Sequence, residues 1–421
     1  MSRAARALRA VAVDAALLRR RRELRLLLLG QGVSLFGSTI SLTAVPIQMY
    51  LLTRSTAQVG LIGAAEFAPI LALALLSGAL ADAFDRRRLI QIAEAGSLLV
   101  ALGLAGNALL PHPSTAVLYV AAALFAGFTA ISRPPIDSLV PRLVEREELA
   151  TASVLYGATR NVGQLGGPAV AGVLIALAGA PAAYFVDAAT FAVSLAALAA
   201  MRTPPPPPDA DPPSLRGVLE GVRYARSRQE LIGTYLVDMG AMFFAMPEAL
   251  FPAVAVRHGG PEVAGLLFAA PAVGALGMSL VSGWTARVRR HGRAVVLAAI
   301  GWGAAIAVFG LAGPLWLALG ALGLAGAADE VSGVFRATIW NETIPDRLRG
   351  RLAGVEMLSW SSGPTLGNVE AGFAAALLGL RTSIVAGGVL CIASTVALAA
   401  ALPRFWSYRN ETSLPSGTAH R

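Results

Sequence analysis

Twelve separate apolar runs most constrain this chain, because each is close to the roughly 20 residues that a helix needs to cross a bilayer. Of its 421 residues, 56% are hydrophobic and only 14% are charged. A soluble domain carries about a quarter charged residues, so the composition indicates an integral membrane protein. The sequence therefore predicts an all-α membrane protein with twelve transmembrane helices in two pseudo-symmetric six-helix bundles.

The apolar runs fall into two groups of six. The predicted spans of the first half are Leu24–Leu52, Val59–Ala81, Leu89–Leu110, Thr115–Val140, Ala150–Ala178 and Ala182–Met201. Those of the second half are Leu231–Val256, Val263–Trp284, Ala294–Gly313, Leu315–Trp340, Leu352–Leu378 and Thr382–Leu402. The predicted divisions are an amphipathic lead segment (1–23), a first bundle (24–201), a linker with a surface helix (202–230), a second bundle (231–403) and a tail (404–421). Five consecutive prolines, Pro204–Pro208, make the linker a polyproline spacer.

The basic residues orient the predicted spans. All 34 are arginines, which with abundant alanine, glycine and proline is typical of a GC-rich bacterial genome. They concentrate at alternate span ends, and the positive-inside rule then predicts that both termini are cytoplasmic, as an even number of spans requires. The net charge of +9 lies beside the spans, where anionic membrane lipid is a nearer partner than nucleic acid. We therefore expect a multi-pass protein of the bacterial cytoplasmic membrane.

The two halves repeat one pattern of glycines. Gly163, Gly167, Gly172 and Gly179 in the fifth span correspond, at a constant offset of 200, to Gly363, Gly367, Gly372 and Gly379 in the eleventh. Four coincidences at one offset indicate a duplicated six-helix unit. Duplication of this kind is typical of membrane proteins that move two halves about a central site.

A short charged loop separates the second and third spans. It reads Gly78-Ala-Leu80-Ala-Asp82 followed by Arg86-Arg87, and it resembles the loop between the second and third helices of the major facilitator superfamily. Ala83 replaces the usual arginine and Asp85 the usual glycine, while the second half carries Arg287 where a counterpart of Asp82 would stand. The resemblance implies an asymmetric gating loop, for which the candidates are Gly78, Asp82, Arg86, Arg88 and Arg351.

Three further stretches resemble the enterobactin-exporter-like and macrolide-efflux-like branch of that superfamily. They are Arg133–Pro141 with Glu147-Glu148, Asn161–Gly172, and Gly326–Arg336 with Pro345–Arg351. The helix-packing motif Gly163, Gly167, Pro168 and Gly172 is also similar to the fifth-helix motif of drug antiporters, although small residues pack helices in many membrane proteins. The resemblance implies proton-coupled export of an amphipathic small molecule, such as a siderophore, a macrolide or another drug-like metabolite, by alternating access.

Several ionisable residues lie within the predicted spans, and six of them are candidates for the functional site. They are Asp329, Asp238, Arg160, Arg336, Glu66 and Asp187. Such residues cost about 2.5–3.5 kcal/mol at mid-membrane, so they face a cavity or a partner. Asp329 and Arg336 are seven positions apart and therefore share one helix face.

Our hypothesis assigns Asp329 as the proton carrier and Asp238 as the second candidate. Arg160 would be a counter-charge that competes with protonation, or else a member of a permanent ion pair. Three carboxylates near span ends, those of Glu94, Asp137 and Glu342, are expected to pair with loop arginines. Met239, Met242, Phe243, Phe244 and Met246 offer a flexible apolar surface to a bulky ligand, although core packing would also explain them, and Pro247 should break that helix.

Other classes of protein fit less well. The four histidines are scattered, and neither a phosphate-binding loop nor a catalytic triad is visible, so we predict no enzyme, no cofactor and no metal site. The remaining alternative is an importer or an uncoupled facilitator of a small metabolite. The expected partners are a small-molecule substrate, protons and membrane lipids, and the chain is expected to be a monomer.

Overall fold

The computed structural model describes residues 16–74, 85–202 and 223–409, and within them it contains helices and no strand. The α-helices are α1 (Ala16–Arg20), α2 (Arg22–Thr53), α3 (Thr56–Ala74), α4 (Arg86–Ala108), α5 (Thr115–Leu139), α6 (Leu149–Ala200), α7 (Gln229–Phe244), α8 (Phe251–Ala255), α9 (Pro261–Leu280), α10 (His291–Leu311), α11 (Leu315–Thr343), α12 (Asp346–Leu378), α13 (Leu380–Ala401) and α14 (Pro403–Trp406). Four 3₁₀ helices span Val140–Leu143, Arg146–Glu148, Glu248–Leu250 and Ser282–Arg287. Residues 223–227 are also helical.

In the described part of the chain, ten helical segments are long and apolar enough to cross a membrane. One of them contains the 52-residue α6, which includes both the fifth and the sixth predicted spans, divided at Gly179. The eleventh predicted span lies on the 33-residue α12, which is not among the ten. The described part of each predicted span is largely helical, and the all-α membrane fold is confirmed.

The seventh predicted span is interrupted beside Pro247, as the sequence predicts. Helix α7 ends at Phe244, a 3₁₀ turn follows over Glu248–Leu250, and α8 resumes at Phe251. Proline lacks the N–H that would continue the helical ladder, so the helix ends before it. The interruption leaves the Ala245 carbonyl free to accept a hydrogen bond from Trp302 Nε1 at 3.2 Å.

Contacts divide the chain into two compact units. The first comprises the described residues within Met1–Arg54, Ala65–Ser214 and Ala255–Ala269. In it α2 packs along α6, and α4 packs against both α5 and α6. Its core is aliphatic; Leu24, Leu27, Ile90, Leu139 and Leu155 are among the buried residues.

The second unit comprises the described residues within Ser55–Ala64, Leu215–Val254 and Ala270–Arg421. Helix α10 packs against α11 and α13, and α7 packs against α12 and α13. The Trp340 indole donates from Nε1 to Thr234 Oγ1 at 2.8 Å, and its ring centroid lies 5.6 Å from that of Tyr235. These contacts join α7 and α11, the two helices that carry the charged residues described below.

The repeated glycines occupy equivalent places in the two units. A methyl group added at Gly163 would lie 3.0 Å from Leu35 Cγ on α2, and one added at Gly363 would lie 2.8 Å from Met242 Cβ on α7. In each unit, therefore, this glycine lets the long helix approach the first helix of the corresponding half of the sequence.

Two further glycine pairs form nearly identical helix crossings. In the first unit, a methyl group on Gly172 would lie 2.6 Å from the Pro261 carbonyl oxygen and 3.0 Å from Gly265 Cα. In the second unit, a methyl group on Gly372 would lie 2.6 Å from the Thr56 carbonyl oxygen and 2.8 Å from Gly60 Cα. These backbones approach so closely that only glycine fits at the crossing.

The last repeated pair ends the long helices in the same unusual conformation. Gly179 has φ 77° and ψ 172°, and Gly379 has φ 88° and ψ 153°. Residues other than glycine essentially never adopt this region of backbone space. Gly179 and Gly379, which are 200 positions apart, thus share a backbone conformation as well as a residue type.

Candidate functional site

The second unit contains a buried charged cluster that joins two helices. Arg336 of α11 forms ion pairs with Asp238 of α7 and with Asp329 of its own helix, the latter at 3.6 Å between Nη2 and Oδ1. Arg336 and Asp238 are 8% and 5% exposed, whereas the Asp329 side chain is 44% exposed. One guanidinium is therefore shared between an enclosed carboxylate and a more accessible one.

The local sequence explains this arrangement. Asp329 and Arg336 are two helical turns apart, so their side chains lie on the same face of α11. Ser332 lies between them and lines a small cavity together with Asp238, Asp329 and Trp302. With both carboxylates ionised the cluster carries one negative charge, and it is neutral when either carboxylate holds a proton. The cluster can therefore bind a proton while the arginine keeps an ionised partner.

A larger cavity lies within the first unit and is lined by α2, α4, α5 and α6. Its volume is about 170 Å³. Its polar lining includes Gln31, Ser34, Ser38, Glu94, Ser97, Thr129, Ser132, Arg133, Tyr156, Thr159 and Arg160. Its apolar lining includes Leu35, Leu42, Phe125, Phe128, Ile136 and Phe191. A cavity with apolar walls and a few convergent charges is the usual form of a small-molecule site.

Glu94 is the residue in this cavity whose role the sequence missed. It is 5% exposed and accepts hydrogen bonds from Ser34 Oγ, at 2.9 and 3.0 Å to its two oxygens, and from Gln31 Nε2 at 3.1 Å. The expected pairing with a loop arginine is therefore wrong, because Glu94 lies on the buried face of α4, opposite α2. A signal was present in the periodicity, since Ile90, Ala93, Glu94 and Ser97 form one buried face.

The same expectation fails for the other two carboxylates. Asp137 accepts a hydrogen bond from the Tyr156 hydroxyl at 2.9 Å. Glu342 accepts one from the Tyr408 hydroxyl at 3.0 Å, and its Oε2 lies 4.0 Å from His291 Nδ1. The charge of Asp137 interacts with that of Arg133 on its own helix, which is not a loop arginine. A tyrosine hydroxyl donates a hydrogen bond to each of the two carboxylates instead.

Arg160 lies in the first unit, apart from the cluster around Arg336. Its guanidinium carbon is 5.9 Å from the centroid of the Tyr156 ring, a cation–π contact. Arg133 lines the same cavity, and its charge interacts with those of Arg160 and Asp137. The structure therefore gathers two of the arginines of the sequence at one wall of the cavity.

The remaining predicted site residues are dispersed. Asp187 is fully buried near Thr190 and Gly37 and does not line the cavity, and Glu66 on α3 does not line it either. Arg86 and Arg88 begin α4, where the Asp85 side chain accepts a hydrogen bond from the Arg88 backbone N–H at 3.0 Å.

The structure gives little on three other residues predicted for the gating loop, Gly78, Asp82 and Arg351. Gly78 and Asp82 lie outside the described residues, so the gating loop stays a prediction. Arg351 lies within α12. In the described residues, moreover, no group of histidine, cysteine, aspartate or glutamate side chains could hold a metal ion.

Comparison with solved structures identifies the fold. The fold is shared with a bacterial homolog of the human lysosomal transporter Spinster in an inward-facing, unoccupied conformation (TM-score 0.74, 18% identity, 94% of this chain and 99% of that one). It is also shared with the nucleoside transporter NupG (TM-score 0.71, 13% identity, 90% of this chain and 98% of that one). These similarities show that the chain shares the helical fold of these transporters.

Within that class, the chain belongs to the transmembrane secretion effector family, whose model matches residues 16–417. Its relatives include the enterobactin exporter EntS of Citrobacter koseri, 29% identical over 93% of this chain and 95% of that protein. EntS of Shigella dysenteriae is 30% identical over 84% of each chain. The protein is therefore a multi-pass membrane transporter and not an enzyme, and the superfamily to which the motifs pointed is confirmed.

Proposed function

We propose that this protein exports an amphipathic small molecule across the cytoplasmic membrane in exchange for protons, by alternating access. The relatives named as enterobactin exporters support export and make a siderophore the first substrate to try, ahead of macrolides and other drug-like metabolites. The arginine distribution in the sequence supports placing both termini in the cytoplasm.

The observation that carries proton coupling is the cluster of Asp238, Asp329 and Arg336. Coupling needs a site that gains and loses a proton without collapsing, and here either carboxylate can be neutral while the other remains paired with the arginine. Asp329 is the more accessible of the two carboxylates, so we assign proton exchange to it. Asp238 then keeps α7 and α11 joined throughout the cycle.

The test uses purified protein in proteoliposomes with an imposed pH gradient, screened against siderophores, macrolides and dyes. The native protein should move substrate in the direction opposite to proton flow. Asp329→Asn keeps the shape of the side chain but removes its titration, so it should lose gradient-driven transport by at least tenfold while retaining exchange of substrate. Glu342→Gln, which alters a carboxylate hydrogen-bonded to Tyr408 outside the cluster, is the matched control.

Each outcome of this experiment has a distinct meaning. Transport in the same direction as protons would identify an importer. Transport unaffected by any gradient would identify an uncoupled facilitator. Normal coupling in Asp329→Asn would remove Asp329 from the mechanism and leave Asp238 as the candidate.

A further inference from the structure

Arg160 has an unusual environment for an arginine within a membrane span. Among the residues that the structure describes, its guanidinium makes the cation–π contact with Tyr156 and no hydrogen bond or ion pair. Arginine carries five N–H donors in a planar fork that matches a carboxylate. A guanidinium kept at a cavity wall without an acceptor is therefore well suited to bind an anion from outside the protein.

The cavity next to Arg160 has the size and walls for one aromatic ring. Its volume of about 170 Å³ exceeds the roughly 150 Å³ that is enough to hold benzene in a protein interior. Phe125 and Phe191 form one stacked wall, with ring centroids 6.2 Å apart. Phe128 forms another, and its ring packs directly over the backbone of Gly96, where an added methyl group would lie 2.2 Å from the ring.

The charges that line the cavity favour an anion over a cation. Arg133 and Arg160 both line it, whereas the carboxylate that lines it, that of Glu94, is held by Ser34 and Gln31. The nearby Asp137 is outside the lining and is hydrogen-bonded to Tyr156. A cationic ligand would lie against two guanidinium groups, and an anionic one would supply the acceptor that Arg160 lacks among the described residues.

We propose that this cavity binds the anionic aromatic group of the transported molecule, a single ring that carries a carboxylate or an equivalent planar oxyanion. Arg160 binds the oxyanion, Arg133 adds a second positive charge, and the phenylalanine walls hold the ring. Glu94 opposes the ligand charge from across the cavity and so limits affinity, which allows release. The assignment rests on the proposed function only in taking the ligand to be the one transported.

The test measures binding directly, so that it does not depend on transport. Benzoate, benzamide and benzylamine have nearly the same shape and carry charges of −1, 0 and +1. Their binding to the full-length protein in nanodiscs is followed by saturation-transfer NMR and by calorimetry. Benzoate should bind at least tenfold more tightly than benzamide, and benzylamine should bind most weakly.

Charge-changing variants identify the residues responsible. Arg160→Gln should lower benzoate affinity at least tenfold and leave benzamide affinity within twofold, and Arg133→Gln should act in the same direction. Glu94→Gln keeps a hydrogen-bonding side chain but removes a negative charge, so it should raise benzoate affinity several-fold. Arg257→Gln removes an arginine of the same unit that does not line the cavity, and it should change nothing.

A change in the wall provides a readout independent of charge. Gly96→Ala must displace the Phe128 ring, so it should weaken benzoate and benzamide equally. Equal binding of benzoate and benzamide by the native protein would overturn the proposal. So would an Arg160→Gln variant that is correctly folded, as judged by size-exclusion profile and thermal midpoint, and that binds benzoate normally. Selective benzoate binding without any proton-driven transport would support the site and refute the proposed function.

Discussion

Arg336 is the buried centre of the charged cluster in the second unit. It is 8% exposed and has carboxylates on two sides, of which that of Asp238 is itself buried. Breaking a buried ion pair by removing one partner is costly because the other charge is left without compensation. Removing the arginine thus measures how much the cluster contributes to stability. Altering Asp329 measures how much it contributes to transport.

Arg336→Gln should lower the free energy of unfolding by about 3–5 kcal/mol, since it leaves Asp238 buried without a cation. The double variant with Asp238→Asn should recover most of that loss, because the stranded charge is gone. The measurement is an SDS unfolding titration in mixed micelles. Arg257→Gln, an exposed arginine, should stay within about 0.5 kcal/mol of the native protein. An equally stable Arg336→Gln variant would show that the pair contributes nothing to folding.

At the scale of the helices, the repeated glycines act as close-approach points and as terminators. The crossings at Gly172 and Gly372 bring backbones together, whereas Gly179 and Gly379 end their helices in a conformation reserved for glycine. The two roles predict different responses to the same small substitution.

At the crossing, Gly172→Ala places a methyl group 2.6 Å from a backbone carbonyl oxygen, so the helices must move apart. Overpacking of this kind costs about 1–3 kcal/mol. The variant should unfold at a lower SDS fraction and transport more slowly. Gly103→Ala is the control, because a methyl group there meets nothing within 4 Å, and it should be neutral or stabilising. Equal behaviour of the two variants would contradict the close crossing.

At the terminator, Gly379→Ala tests backbone conformation alone, since a methyl group there also meets nothing within 4 Å. A residue other than glycine in this region costs about 1–3 kcal/mol. The unfolding titration should show that loss, and Gly379→Asn should not restore stability, because this conformation differs from the left-handed helical one that asparagine tolerates. Gly320→Ala, in open space within α11, serves as the control.

At the scale of the whole molecule, the sequence repeat is unequal in chemistry. The glycines recur at an offset of 200, and Arg133 has a counterpart in Arg336 at an offset of 203, but the carboxylates near these arginines do not recur. The first unit has Glu94, Arg133 and Arg160 around an open cavity, and the second has an acid–arginine–acid cluster. We infer that the first unit binds the ligand and the second exchanges the proton. The two halves of the duplicated sequence would then have different functions.

This division predicts separable defects in transport. Arg160→Gln should raise the substrate concentration needed for half-maximal transport with little change in the ratio of protons to substrate. Asp329→Asn should abolish the dependence on the pH gradient with little change in substrate affinity. Proteoliposome flux with a pH-sensitive dye measures both quantities. Loss of coupling in Arg160→Gln, with affinity intact, would reverse the assignment.

The sequence by itself determined the spans and the repeat. Apolar length decides what crosses a membrane, and an offset of 200 is visible in the order of residues, so neither depends on how helices pack. Pro247 was likewise predictable as a break in the seventh span, since the missing N–H is a local property.

Only the tertiary structure decided which charged residues meet. Asp238 reaches Arg336 across 98 positions and Ser34 reaches Glu94 across 60. Such pairs depend on the rotation of each helix about its axis and on the neighbour it packs against, and apolar runs with little amphipathic contrast do not encode either. Arg160 and Asp329 looked alike in the sequence as buried charges. Packing placed Arg160 at the wall of a cavity, and it brought Asp238 of another helix to Arg336, whose helix face Asp329 already shares.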